Sequence, residues 1–222
     1  SRAKIFLEYY QNLSEYSGAS MINIGVDYRI YIPIAKKIIW ANRIAFNGSF
    51  GSAKINYLLG GVENWIGPSS TRGINSESNQ PFVYQSLANN LRGFRKSARS
   101  GNKYALINSE IRIPIFSYLV NRPIRIDFFR NFTIAPFFDI GTAWINESPF
   151  SEQPYNTRVD VQPGGANTIT ITNINNPFLA GTGIGIRSRI LGYFIRVDYS
   201  RGIEDGAFTD DPIIYFALGF DF

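Results

Sequence analysis

Between Ile22 and Pro33 the chain alternates without a break. Ile22, Ile24, Val26, Tyr28, Ile30 and Ile32 fall on even positions, and Asn23, Gly25, Asp27, Arg29 and Tyr31 on odd ones. A period of two sustained this far is a β-strand with one apolar and one polar face. Strands of soluble sheets usually run to about 5–6 residues, whereas a tilted strand needs about 9–11 to cross a bilayer. This segment has the longer span.

The same pattern returns along the chain. Ala3, Ile5, Leu7 and Tyr9 alternate with Arg2, Lys4, Phe6 and Glu8. Ile38, Trp40, Ile44, Phe46 and Phe50 alternate with Ala41, Arg43, Ala45, Asn47 and Ser49. From Tyr104 to Phe116, Ile107, Ile111, Ile113 and Ile115 oppose Asn108, Glu110 and Arg112. From Phe132 to Trp144, Ile134, Phe138, Ile140 and Trp144 oppose Ala135, Asp139, Gly141 and Ala143. Over 178–189, Ile184 and Ile186 oppose Gly181, Gly183, Gly185 and Arg187; Ile195, Val197 and Tyr199 then oppose Arg196 and Asp198. The chain closes with Ile214, Phe216, Leu218, Phe220 and Phe222 against Tyr215, Ala217, Gly219 and Asp221.

These are about eight long antiparallel strands. No stretch approaches the ~20 apolar residues of a membrane helix, and the mean hydropathy of −0.09 is what alternation produces when lipid-facing and lumen-facing residues take turns. The polar face mixes Arg, Asp and Glu with Gly and Ala, which suits a crowded, partly aqueous lumen better than open solvent. Tyr9, Tyr28, Trp40 and Trp144 lie near strand ends, where interfacial girdles belong. Residues 33–37 and those around Gly192 are short turns, whereas 52–103 and 145–177 are long and rich in Asn, Ser, Gly and Pro. Short turns on one rim and long loops on the other are the barrel asymmetry. A structureless stretch as long as 52–103 counts against a compact soluble domain and reads as a functional loop. The expectation is an all-β, transmembrane antiparallel barrel over residues 1–222, with 145–177 as a long extracellular loop. A soluble β-sandwich binder is the alternative, and solubility without detergent would favour it.

Composition removes several chemistries. The chain has no cysteine and no histidine, so disulfides, thiolate metal sites and Ser-His-Asp catalysis are absent. The net charge of +5 is scattered through alternating segments and forms no stripe for nucleic acid. No catalytic residue, metal ligand or cofactor is expected. Ser1 is not preceded by a Met or a signal-like segment, so the sequence is expected to be a mature or truncated piece.

Four motifs carry a family resemblance. Leu91-Arg92-Gly93-Phe94 lies in the long loop, and Asn108-Ser109-Glu110-Ile111-Arg112 lies in the strand that follows. Phe137-Phe138-Asp139-Ile140-Gly141 comes next, then Gly181-Thr182-Gly183-Ile184-Gly185, and the chain ends in an aromatic strand at Phe222. In set and order these resemble the bacterial surface antigen superfamily, the barrels of BamA, TamA and the two-partner secretion transporters, from about residue 20 to Phe222.

The resemblance implies the last eight strands of a sixteen-strand barrel in the bacterial outer membrane. An eight-strand barrel closed on itself fills with side chains and leaves no room for the 52–103 loop. The resemblance further implies that this loop folds back into the lumen, with Arg92 meeting acidic residues of the inner wall. Glu110 and Asp139, both of polar parity, are the candidate partners; Leu91 stands where the family commonly has Val. A guanidinium fork suits carboxylates. The alternative is ordinary lumen polarity, with those acids paired to Arg43, Arg112, Arg187 or Arg196. Gly141, Gly181, Gly183 and Gly185 are read as clearing space for the loop backbone. Phe216, Leu218, Phe220 and Phe222 would form the terminal strand that serves as insertion signal and lateral gate, or a plain closing strand.

The implied activity is assembly, insertion or translocation of proteins, without enzymatic chemistry. The implied partners are outer-membrane lipid, unfolded outer-membrane or secreted polypeptides, and periplasmic or lipoprotein accessory subunits. A secretion pore for one dedicated polypeptide, or the membrane anchor of a larger protein with an upstream domain, remains the competing reading.

Overall fold

The computed structural model describes residues 1–11, 19–67, 82–88, 90–120, 122–145, 147–151, 157–164, 167–174 and 176–219, with the backbone alone for 82–88, 157–164 and 167–174. The chain begins with β1 (Arg2–Gln11), β2 (Ser20–Ala35) and β3 (Ile38–Gly51). Three shorter strands follow, β4 (Lys54–Leu59), β5 (Phe82–Ala88) and β6 (Arg99–Gly101), then β7 (Lys103–Arg112). Two single-turn helices, α1 (Ile115–Leu119) and α2 (Asp127–Asn131), lead into β8 (Thr133–Trp144). A hairpin of β9 (Thr157–Gly164) and β10 (Asn167–Ile174) precedes β11 (Leu179–Ile190), β12 (Tyr193–Glu204), the two-residue β13 (Ala207–Phe208) and β14 (Ile213–Gly219).

The long strands β1, β2, β3, β7, β8, β11, β12 and β14 form one antiparallel sheet, each paired with the next. Among the described residues no pairing joins β1 to β14, and the eight strands form one continuous antiparallel wall.

Register sorts side chains into rows across the wall. Tyr28, Ile44, Ile107 and Ile140 stand opposite one another on β2, β3, β7 and β8. One step along, Arg29, Arg43, Asn108, Asp139, Gly181 and Gly202 make a row on the other face. A slip of one residue would exchange these rows between faces, so the alternation that predicts the strands also excludes any odd slip of their register.

The faces are inside-out relative to a soluble protein. Ile5 is 76% exposed and Leu7 72%, while Asp139 and Asp198 are 0% exposed. Large apolar side chains turned outward along successive strands, with carboxylates sealed behind them, are the arrangement a lipid-facing sheet requires. The pattern places Tyr9, Tyr28 and Trp40 on the exposed face. Trp144 departs from the girdle expectation: it is buried and packs against Phe46 at 6.3 Å between ring centroids.

Two other expectations are corrected. The strand read as reaching Phe116 ends at Arg112. Ile113 exchanges two main-chain hydrogen bonds with Ile134, and Pro114, with no N–H to continue the ladder, starts a helical turn in which Tyr118 N–H donates to its carbonyl. Ile115 and Phe116 therefore belong to α1, and Phe116 packs on Phe129 and Phe132. Nor is 52–103 structureless: β4 pairs parallel with β5 and antiparallel with β6. Within 145–177, β9 and β10 pair as an antiparallel hairpin.

Spin labels at Ile22, Ile24 and Val26 should be relaxed by a lipid-soluble quencher, and one at Asn23, which is buried, should not; equal accessibility would defeat the assignment. Ile24→Arg should cost ~2–4 kcal/mol if it sits near mid-bilayer, read from refolding titrations in lipid.

A candidate functional site on the polar face of the sheet

The segment between β3 and β7 packs against the polar face of the wall. Ile55, Tyr57 and Leu59 of β4, with Leu91 and Phe94, form one buried cluster with Met21, Ala45, Tyr104, Leu106, Ala143 and Leu179 of the long strands. Tyr57 Oη donates to Asn23 Oδ1 at 2.6 Å, and its ring meets Tyr104 edge-on at 5.1 Å. An apolar core thus lies on the side of the sheet that carries its charges, which is possible because small wall residues such as Ala45 and Ala143 leave room beside them.

Leu91-Arg92-Gly93-Phe94 is held at the end of this segment, and all four residues are buried. Arg92 Nε donates to Asp139 Oδ2 at 2.6 Å and Nη2 to Asp139 Oδ1 at 2.7 Å, a bidentate fork. The Arg92 backbone N–H adds a third bond to the same carboxylate at 3.2 Å. Nη1 reaches Glu110 Oε2 at 3.2 Å. Below the guanidinium lies the ring of Phe137, 3.5 Å from Cζ to centroid, a cation–π contact strengthened by exclusion of water. Burial disfavours the Arg92 cation, yet the Asp139 and Glu110 carboxylates outweigh it and hold its pKa above the ordinary value. The group is a permanent charge.

Register explains why these residues meet. Phe137 and Asp139 are two apart on β8 and share its inner face, while Glu110 on β7 stands opposite Phe137. The two acids are not equivalent. Asp139 gives both oxygens to Arg92, whereas Glu110 is shared with Arg112 at 2.7 Å and Arg187 at 2.6 and 2.5 Å. The pairing to Arg112 and Arg187 weighed as the alternative for Glu110 therefore coexists with its bond to Arg92.

The four glycines divide. A Cβ on Gly181, opposite Asp139, would collide with the Arg92 carbonyl, and one on Gly141 would come within 3.3 Å of Leu59 Cδ2. At Gly183 a Cβ would instead meet the Tyr199 carbonyl and the Phe137 ring, and at Gly185 the Asp198 carboxylate, so the nearest neighbours of both lie on the wall. Gly202 takes the loop-clearing position that sequence reasoning missed: a Cβ there would lie 2.8 Å from the Gly93 carbonyl and 2.7 Å from Phe94 Cζ. Gly93 has φ +94°, and its own Cβ would strike the Arg201 carbonyl at 2.7 Å, so both sides of this crossing need glycine.

Tyr215 on β14, fully buried, was also missed. Its hydroxyl accepts from Gly93 N–H at 3.0 Å and donates to the Phe94 carbonyl at 2.5 Å. The available signal was a lone tyrosine of inward parity in the last strand. Of the terminal-strand residues, Phe216 and Leu218 face outward, partly exposed, and Phe220 and Phe222 lie outside the described residues.

Asp139→Asn should expose the bonds after Arg92, Arg95 and Lys96 to trypsin, because it removes the carboxylate that takes three of Arg92's bonds. Glu110→Gln should expose them less. Tyr215→Phe should cost ~1–3 kcal/mol by leaving two buried main-chain groups unpaired, measured from denaturant titrations.

No curated protein matches the chain. The Omp85 superfamily domain matches residues 7–222, nearly the whole of it, and covers every motif described above. That superfamily comprises outer-membrane β-barrels that assemble or translocate polypeptides without enzymatic chemistry. The wall of eight strands, with its lipid-ready outer face and charged inner face, is a member of it: the chain belongs to the Omp85 superfamily.

Proposed function

We propose that this chain is the C-terminal part of an outer-membrane barrel that inserts or translocates other polypeptides, with residues 52–103 as a loop held inside the lumen. In this reading Leu91–Phe94 locks the loop to the inner wall, and β14 is the movable strand at which a client segment pairs. The reading rests on one observation, the fork from Arg92 to Asp139 with Glu110 at its third nitrogen. A buried cation bound so completely is costly to leave half-paired, so the loop has one strongly preferred seat. Family membership supports an assembly or translocation role, with unfolded outer-membrane or secreted polypeptides as clients and periplasmic or lipoprotein subunits as accessories.

Arg92→Ala leaves Asp139 without its cation, a loss of ~3–5 kcal/mol for a fully dry pair and less in a partly hydrated lumen. The strand ladder does not depend on this pair, so the barrel should still form and keep its heat-modifiable migration. Client insertion into proteoliposomes should slow about tenfold or more, ten corresponding to ~1.4 kcal/mol. Arg92→Lys should recover part of the rate through charge but not through the fork or the stacking. Unchanged insertion by Arg92→Ala would remove the lock from the mechanism.

A further inference from the structure

On the rim where β2–β3 and β11–β12 turn in two residues, β7 and β8 are joined by the much longer segment 113–132, which holds α1 and α2. It lies in the middle of the wall, away from both ends of the sheet. The seat of α2 shows which side it takes. Ser188 has the parity of Ile184 and Ile186, which are exposed on the lipid-facing side, yet Ser188 is only 4% exposed. Its hydroxyl donates to the Phe128 carbonyl at 2.7 Å. At this rim α2 therefore covers the outer face of β11.

The segment is a packed body. The rings of Phe116, Phe128, Phe129 and Phe132 meet with centroids 4.9 to 5.7 Å apart. Ser117 Oγ donates to the Arg130 carbonyl at 3.1 Å, and Lys37 Nζ, from the β2–β3 turn, donates to the Ser117 carbonyl. Outside this knot, Tyr118, Leu119, Val120 and Ile126 are exposed, Leu119 at 72%. They lie beyond the rim ends of the outward rows of Ile111 and Ile186, so the apolar surface extends past the last paired residues. Charge at this rim is one-sided. Lys36, Lys37, Arg122 and Arg125 are exposed, while the single acid of 113–132, Asp127, is paired to Arg130. At the opposite rim the exposed charges of the β12–β14 connection are Asp205, Asp210 and Asp211.

We propose that the α1–α2 segment is a membrane foot, a docking surface for anionic phospholipid at the short-turn rim. Tyr118, Leu119, Val120 and Ile126 enter the boundary between acyl chains and headgroups, and Arg122, Arg125 and Lys36 hold headgroup phosphates. Two observations name a lipid as the occupant. The apolar side chains continue a surface that already faces lipid, and the cations beside them match a layer of phosphodiesters. A guanidinium binds phosphate through two parallel N–H groups, and long basic side chains keep their charge at the headgroups while their stems stay apolar. A girdle of aromatic and aliphatic residues alone would grip any bilayer; four exposed cations make the grip depend on headgroup charge. The foot hangs from β7 and β8, whose inner faces carry Glu110 and Asp139. Its hold on lipid therefore fixes the height in the bilayer of the two strands that receive Arg92.

The test uses the full-length protein in vesicles of phosphatidylglycerol and phosphatidylcholine, in equal amounts and with identical acyl chains. Leu119→Cys carries a benzophenone label; residues 1–222 contain no other cysteine. After irradiation, intact mass separates the two lipid adducts. The phosphatidylglycerol adduct at Leu119 should exceed the other about fivefold, the factor given by ~1 kcal/mol for one basic residue at an anionic surface. The same label at Ile44→Cys, on the outward row in the middle of β3, should give nearly equal adducts. Arg122→Gln together with Arg125→Gln should bring the Leu119 ratio down to that of Ile44, with heat-modifiable migration confirming a folded barrel. Equal ratios at Leu119 and Ile44 in the parent would overturn the headgroup site, as would a Leu119 preference that survives the double substitution. Crosslinking of Leu119 to protein and not to lipid would overturn the foot and give this face to a protein partner. Client insertion is read in none of these measurements, so the role of the Arg92 lock stands or falls separately.

Discussion

Main-chain polar groups in a hydrocarbon layer have no water to turn to, and that constraint organises the molecule. Among the described residues each long strand is paired on both sides except β1 and β14, and the side chains follow from that pairing. With every strand committed to a ladder, the apolar row that includes Ile44 and Ile107 has to face one way, and the charged row that includes Arg43 and Asp139 the other. The lipid-facing side needs no partner side chains. The inner side does, because its charges are too crowded to be left to solvent.

How that crowding is resolved is visible in the register. Arg29 stands directly opposite Arg43, and Arg187 directly opposite Arg196. Like charges in such positions are destabilising on their own. Asp27 answers the first pair, accepting from Arg29 at 2.9 Å and Arg43 at 2.8 Å. Arg187 reaches across to Glu110, and Arg196 bonds Asp198. The carboxylates sit beneath the arginines rather than in front of them, with Asp139 and Asp198 fully buried. Arg92 comes from outside the wall, so its charge brings a remote segment with it, and Arg99 of β6 does the same in its pair with Glu204 of β12 at 2.8 Å. The loop's apolar side chains then pack where the wall is small, as Leu59 does over Gly141.

From this arrangement β14 acquires an unusual position. Among the described residues it pairs with β12 in the long sheet, and its inner face is held through the Tyr215 hydroxyl by the segment that Arg92 anchors. A strand so placed is stabilised by contacts that are far away in sequence and independent of the ladder. Its stability can therefore change without the rest of the wall unfolding.

Much of the wall was legible in the sequence because strand periodicity and the two-faced environment are the same fact. Parity alone placed Glu110 and Asp139 inward, and motif resemblance supplied Arg92 as their partner. β4 could not be read this way. Residues 55 to 59 are all buried, since the segment packs on the wall on one side and under its own neighbours on the other, and burial on both faces erases the period of two. Gly202, Phe137 and Tyr215 escaped for a related reason: their roles come from what crosses in front of them, and a glycine or an aromatic of inward parity carries no record of that. The sequence by itself determined about eight strands and which of their faces is apolar, because alternation is a local property of the chain. Only the tertiary structure decided that Asp139 takes the fork while Glu110 is shared three ways, and that the Tyr215 hydroxyl holds the main chain of Gly93 and Phe94, because those choices depend on distances between segments that no local pattern encodes.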